Sequence, residues 1–156
     1  MSPAEELRYL ILGAQREGAR AYAAALAPTG LTPAQAEAVV VLAEAPGISL
    51  VGLGARLVCE AGSPSRLVDA LVRQGLVHRD PDPRSRRSVV LRLTTEGSRR
   101  VARVRAAEAA VHEAITDSLD DDAMQGAITA LRRLLDRRPT LDALTLRRED
   151  RASARR

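Results

Sequence analysis

The residues of this sequence with the most chemistry to offer are its arginines, and they are unevenly placed. Arg66, Asp69 and Arg73 are spaced three and four residues apart, so on a helix they share one face. Ser63 and Ser65 stand at the start of that segment, and Arg84, Arg86 and Arg87 follow within a short stretch rich in Pro and Asp. A guanidinium presents a planar fork of donors that matches two acceptors at once, such as O6 and N7 of guanine or two phosphate oxygens. Hydroxyls and free backbone donors at a helix start hold a phosphate. Residues 56–105 carry 12 Arg against 5 acids, a balance of +7, while the rest of the chain carries 12 Arg against 15 acids, a balance of −3. One sign of charge concentrated in this way is the footprint expected for a polyanionic partner.

Other chemistries find little support. Cys59 is the only cysteine, so no internal disulfide forms and a cysteine-based zinc site lacks ligands. Nothing basic beside it in sequence lowers its thiol pKa, and a buried apolar cysteine is the expectation. His78 and His112 have no neighbours at metal-ligand spacing, and neither a metal nor a cofactor is expected. There is no phosphate-binding glycine loop and no nucleophile elbow, which argues against an enzyme. The apolar runs, such as residues 38–43, fall short of the roughly 20 residues needed to span a bilayer, and no secretory leader is evident. A soluble cytoplasmic protein is expected.

The elements that must position the arginines are written in the capping residues. Ser2-Pro3, Thr32-Pro33 and Ser63-Pro64 each place a hydroxyl before a proline at the first helical position, and Glu5 and Gln35 complete capping boxes for the first two. The spacing predicts helices over 3–26, 33–45, 50–58 and 64–74, the third weakened by Gly52 and Gly54, with Gly54 permitting a close helix crossing. On the fourth, Leu67, Ala70, Leu71 and Gln74 should face inward and Ser65, Arg66, Asp69 and Arg73 outward. The period then changes to two: residues 76–79 and 88–93 read as strands flanking a basic loop, residues 80–87, that cannot pair. Helical spacing returns over 95–119 and from Asp120 to before Pro139, and the arginine-rich composition beyond Thr140 predicts a frayed tail. The core is aliphatic, since Tyr9 and Tyr22 are the only aromatics.

That order is the grammar of a mostly α fold with a small β-hairpin wing: a winged helix-turn-helix over residues 31–94, flanked by long N- and C-terminal dimerisation helices, residues 1–30 and 95–139, with a basic tail over 140–156, all in one structural domain. The apolar stripes of the flanking helices exceed what one small winged domain can cover, which predicts a homodimer.

The run LVDALVRQGLVHRDPDPRSRRSVVLRLTTEG, residues 67–97, resembles the signature stretch of MarR-family regulators: a Leu-Val-Asp recognition-helix segment, a Gly-Leu-Val turn into the wing, an Arg-rich wing, and a Leu-x-Leu-Thr-x-x-Gly exit. The likeness extends over about residues 4–138, with motif-grade similarity over 57–97. It implies a homodimer on palindromic double-stranded DNA, a sequence-specific transcriptional regulator, most often a repressor, modulated by a small molecule or an oxidant. Where the family's wing commonly has Asp-x-Arg, this chain has Ser85 before Arg86 and Arg87; the carboxylate is either supplied by Asp82 or missing. The resemblance implies DNA contacts from Ser63, Ser65, Arg66, Asp69, Arg73, Arg84, Arg86 and Arg87. It also implies a cleft for a small anionic aromatic effector, for which Tyr9, Arg16 and Tyr22 are candidates by position. The competing reading is a winged-helix adaptor without sequence-specific DNA binding.

Overall fold

The computed structural model describes residues 1–59, 62–82 and 85–154, with the side chains of 85–88 outside that description. Helix α1 spans Pro3–Leu26 and starts with the expected capping box, in which the Glu5 amide donates to Ser2 Oγ at 3.3 Å and the Ser2 amide to Glu5 Oε2 at 3.3 Å. A 3₁₀ turn, Ala27–Thr29, leads to α2, Pro33–Glu44, which opens on the second capping box, Thr32 with Gln35. Then come α3, Leu50–Gly54, α4, Pro64–Arg73, the strands β1, Val77–Asp82, and β2, Ser85–Leu93, and the helices α5, Thr95–Ser118, α6, Asp121–Leu134, and α7, Pro139–Ala154.

Helix α2 is the centre. Ala36, Ala38, Val39, Val40, Val41 and Leu42 are all buried, an apolar circumference that a helix tolerates only when it is enclosed on every side. It packs against α1, α3, α4, α5, α7 and β2. Leu67, Val68 and Leu71 of α4, Leu76 and Val77 at the wing root, Leu91 of β2, and Val101 and Val104 of α5 complete the cluster. The predicted inward face of α4 is thus corrected in part: Val68 is buried, whereas Gln74 caps the helix C-terminus and is exposed.

The hairpin is longer than the alternation predicts. Val77 pairs with Leu93, and the antiparallel register continues through Pro81 opposite Val89 before an irregularity brings Asp82 opposite Ser85. Proline is tolerated there because β1 is an edge strand, paired with β2 on one side alone. On its other edge β2 is stitched to the α2–α3 loop, where the Gly47 amide donates to the Leu91 carbonyl at 3.1 Å and the Leu91 amide to that of Ile48 at 2.9 Å. The predicted third helix ends early, at Gly54, because glycines at positions 52 and 54 support helix poorly. Gly54 does mark a close crossing, since a Cβ there would lie 3.3 Å from Pro64 Cγ.

The expected frayed tail is instead α7. Ala143 is buried, and Arg147, Asp150 and Arg151 pair with Glu37, Arg56 and Glu44. Long-range charge pairing of this kind is invisible to helical periodicity, which sees only an arginine-rich segment. By contrast Leu7, Leu10, Ile115, Ile128, Leu131 and Leu134 remain exposed, and α6 buries no residue. Among the described residues no helix is long and apolar enough to cross a membrane.

Of the glycines, Gly97 at the junction of wing and α5 makes the tightest backbone approach. Thr94 caps α5 by accepting from the Gly97 amide at 2.9 Å, and its hydroxyl donates to the Gly75 carbonyl at 2.7 Å. A Cβ on Gly97 would overlap the Leu76 carbonyl oxygen. Gly97→Ala should therefore destabilise the fold by about 1–3 kcal/mol, as overpacking against backbone does, read from the midpoint of urea denaturation; an unchanged midpoint would contradict the packing described.

Candidate nucleic-acid interface

Burying Leu67, Val68 and Leu71 turns the opposite face of α4 outward. Arg66 and Arg73 are exposed, Ser65 is half-buried, and neither arginine has an ion-pair partner among the described residues. Asp69, on the same face, is differently employed: its Oδ1 accepts from Arg79 Nη2 of β1 at 2.6 Å, tying the helix to the base of the wing. Across the hairpin Asp80 lies 3.4 Å from Arg92 Nε of β2, and His78 Nε2 of its own strand lies at 3.4 Å from the same carboxylate oxygen. Ser63 occupies the N-cap position of α4, but its hydroxyl makes no capping bond. Of the wing residues, Arg84 and the side chains of Arg86 and Arg87 lie outside the described residues.

The turn that delivers α4 is held by a residue that periodicity conceals. Glu37, buried in α2, accepts from the Val58 amide at 2.9 Å through Oε1 and from the Cys59 amide at 2.8 Å through Oε2. An acid within the otherwise apolar run Ala36–Leu42 is the one signal that was available in sequence. Arg56 is a second such residue; its Nη1 donates to the Gly52 carbonyl at 3.0 Å at the end of α3.

The three effector candidates are not brought together. Tyr9 is exposed, with the Arg8 guanidinium carbon 4.1 Å from its ring centroid, and Arg16 is exposed. Tyr22 is half-buried and donates to Glu108 Oε1 at 3.0 Å; burial first, and then the Glu108 carboxylate, raise its pKa. A 590 Å³ cavity between α2, α5 and α7 is lined by Val40, Glu44, Arg105, Glu108, His112 and Arg151, so Tyr22 touches it through Glu108. Among the described residues no group of His, Cys, Asp and Glu is gathered as a metal site would require.

An exposed basic helix, presented by a preceding helix and turn and braced by a charged two-stranded wing, defines a winged helix-turn-helix of the DNA-binding type. Residues 31–89 match the model of the MarR family. The chain is similar over 84% of its length, and 93% of the other's, to the transcriptional repressor CouR bound to a 23-mer DNA duplex, with 30% identity and a TM-score of 0.74. A cysteine-to-serine mutant of MarR from E. coli, complexed with operator DNA, shows 27% identity and a TM-score of 0.75 over 83% of this chain and 94% of that one. The organohalide-sensing regulator RdhR in its 2,4-dichlorophenol-bound form, at 18% identity, shares the fold, with a TM-score of 0.78 over 90% of this chain and 84% of its own. No curated protein sequence matches significantly. The chain belongs to the MarR family; it is a DNA-binding transcriptional regulator and not an enzyme.

Cys59 sits beside the turn, and burial, with the neighbouring Glu37 carboxylate adding to it, pushes its thiol up to about 11. The thiolate is the reactive form, although a more basic thiolate is also the better nucleophile. Native Cys59 should therefore react with iodoacetamide at pH 8 about tenfold more slowly than in the denatured chain; equal rates would contradict its placement.

Proposed function

We propose that the protein is a homodimeric, sequence-specific repressor that reads a palindromic operator with one α4 per protomer, Arg66 at base edges, and Arg84, Arg86 and Arg87 of the wing against phosphates and the minor groove. The observation that carries this reading is the outward face of α4. Arg66 and Arg73 project from it without a partner among the described residues, while the acid between them, Asp69, is neutralised by Arg79. Asp69 thus acts by setting the angle between helix and wing, and Ser63 and Ser65 flank the helix start where a phosphate would be held. The operator-bound MarR and DNA-bound CouR structures share this architecture over most of the chain. The exposed apolar faces of α1 and α6, which between them line a groove of Leu7, Leu10, Ile11, Leu131 and Leu134, support burial against a second copy.

A small anionic effector fits the α2–α5–α7 cavity better than it fits Tyr9, Arg16 and Tyr22. Glu44 is paired with Arg151 and Glu108 is bonded to Tyr22, while Arg105 has no ion-pair partner among the described residues. Val40, Ala43 and Ala109 supply an apolar wall.

Light scattering should give about twice 16.7 kDa; a monomer that still binds DNA tightly would refute the dimer. Selection from random DNA should enrich a palindrome with half-sites about 10 base pairs, one helical turn, apart. On it Arg66→Ala should cost about 1–3 kcal/mol, with far less loss on random DNA. Alanine at Arg86 and Arg87 should weaken both alike and flatten the salt dependence by about one log–log unit per lost phosphate contact. Failure to enrich any palindrome would return the protein to the adaptor reading.

A further inference from the structure

Helix α7 is held to the winged domain chiefly by charge. Arg147 Nη1 donates to Glu37 Oε1 at 2.9 Å, Arg56 forks onto Asp150 at 2.6 and 3.1 Å, and Arg151 Nε donates to Glu44 Oε1 at 2.8 Å. Apolar burial contributes little, since Ala143 is the one buried residue of the helix among those described. The three residues of the winged domain that α7 meets are not equivalent. Glu44 lies at the far end of α2, whereas Glu37 is the carboxylate that fixes the Val58 and Cys59 amides, and Arg56 is the residue that closes α3. Among the described residues, two of the four ion pairs that tie α7 down, Arg147–Glu37 and Asp150–Arg56, therefore converge on the turn from which α4 emerges, while Arg151 and, at 3.9 Å, Arg147 also meet Glu44.

We propose that α7 is a positioning arm for the reading helix, with Arg147 acting through Glu37 to set the Val58–Cys59 turn and Asp150 acting through Arg56 to set the end of α3. The Glu37 side chain is only 6% exposed and that of Arg147 17%. A carboxylate so deeply buried is costly unless each of its oxygens meets a donor or a counter-charge. Glu37 accepts from both turn amides and from Arg147 at once; without Arg147 its Oε1 loses a partner, the side chain shifts or admits water, and the turn loses its fixed geometry. Docking of α7 and the orientation of α4 are in this way one equilibrium. The arm also forms a wall of the α2–α5–α7 cavity through Arg151 and Ala154, so a group bound there meets the same helix that holds the turn.

The inference rests on α4 being the reading helix, and its test separates the two. Full-length Arg147→Ala, Arg147→Lys and Arg148→Ala are compared, the last removing the same charge from the exposed face of α7. Two quantities are read: the ratio of affinities for the selected operator and random DNA, and hydrogen exchange of the Val58 and Cys59 amides in the free protein. Arg147→Ala should lower the ratio about tenfold and speed exchange at Val58 and Cys59 while the α2 core amides stay protected. Arg147→Lys should restore part of both, and Arg148→Ala should change neither. Should Arg147→Ala fail to fold, Asp150→Asn loosens the same arm at Arg56 and is expected to lower the ratio in the same way. Exchange and affinity ratio in Arg147→Ala no different from Arg148→Ala would overturn the proposal, as would uniform loss of protection across the core. If Arg66→Ala left DNA binding intact while the turn amides still responded to Arg147→Ala, the reading-helix assignment would fail and the arm would stand.

Discussion

The structure is organised by the need to enclose α2. Its side chains from Ala36 to Leu42 are apolar round the whole circumference, Glu37 excepted, and all are buried. Burying one aliphatic side chain contributes about 1.5–3 kcal/mol, so leaving any side of this helix open would forfeit a large part of a small domain's stability. The shell that closes it is made of α1 and α5 together with α3, α4, the root of the wing and α7. DNA-reading and scaffold elements therefore share one core. The tilt of α4 is a consequence of how Leu67, Val68 and Leu71 fit against α2, and a disturbance of α2 has no way to spare the recognition surface.

Glu37 is the exception that makes this core specific. A carboxylate amid valines is costly unless each of its oxygens is engaged, and here one oxygen meets the Val58 amide and Arg147 while the other meets the Cys59 amide. Any aliphatic residue of similar volume would fill the space, but only a group with two acceptor oxygens ties a helix, a turn and an arm at one point. The adjoining Cys59 thiol is held in its protonated form first by burial and then by this same carboxylate, whose negative charge opposes a second.

What was legible in the sequence follows from the range of the interactions concerned. The starts of α1 and α2 were readable to the residue because capping boxes are local, spanning three residues. The winged architecture was readable because period-two and helical spacing alternate in a recognisable order and residues 67–97 carry a family signature. The outward placing of Arg66 and Arg73 followed from the same periodicity. The length of the hairpin was misread because prolines at 81 and 83 look like breakers, yet a ribbon strand has a free side on which Pro81 loses nothing. Helix α7 was missed because its partners lie about a hundred residues earlier, and no local pattern reveals that Arg147 and Arg151 will meet Glu37 and Glu44. The effector candidates on α1 rest on position, which says which face of a helix a side chain shares but not what lies opposite: Tyr22 meets Glu108 and Tyr9 lies against Arg8.

The same limit applies to the charge count that first pointed to a polyanion. Of the twelve arginines between residues 56 and 105, Arg56 is spent on Asp150, Arg79 on Asp69, Arg92 on Asp80, and Arg99 and Arg100 on Glu96. Arg100 also reaches the Thr29 carbonyl, and Arg103 donates to that of Pro28 at 2.6 Å, closing the C-terminal end of the α1 turn. Arg99 apart, whose partner Glu96 lies on the same helix, these guanidiniums brace one element against another. What remains on α4 is Arg66 and Arg73, held outward by a helix whose other side is locked into the core. Long-range attraction to a polyanion depends on the whole surplus, but discrimination between sequences depends on the few forks free to meet a base edge. Composition reports the first quantity; only the pairing pattern of the folded chain separates it from the second.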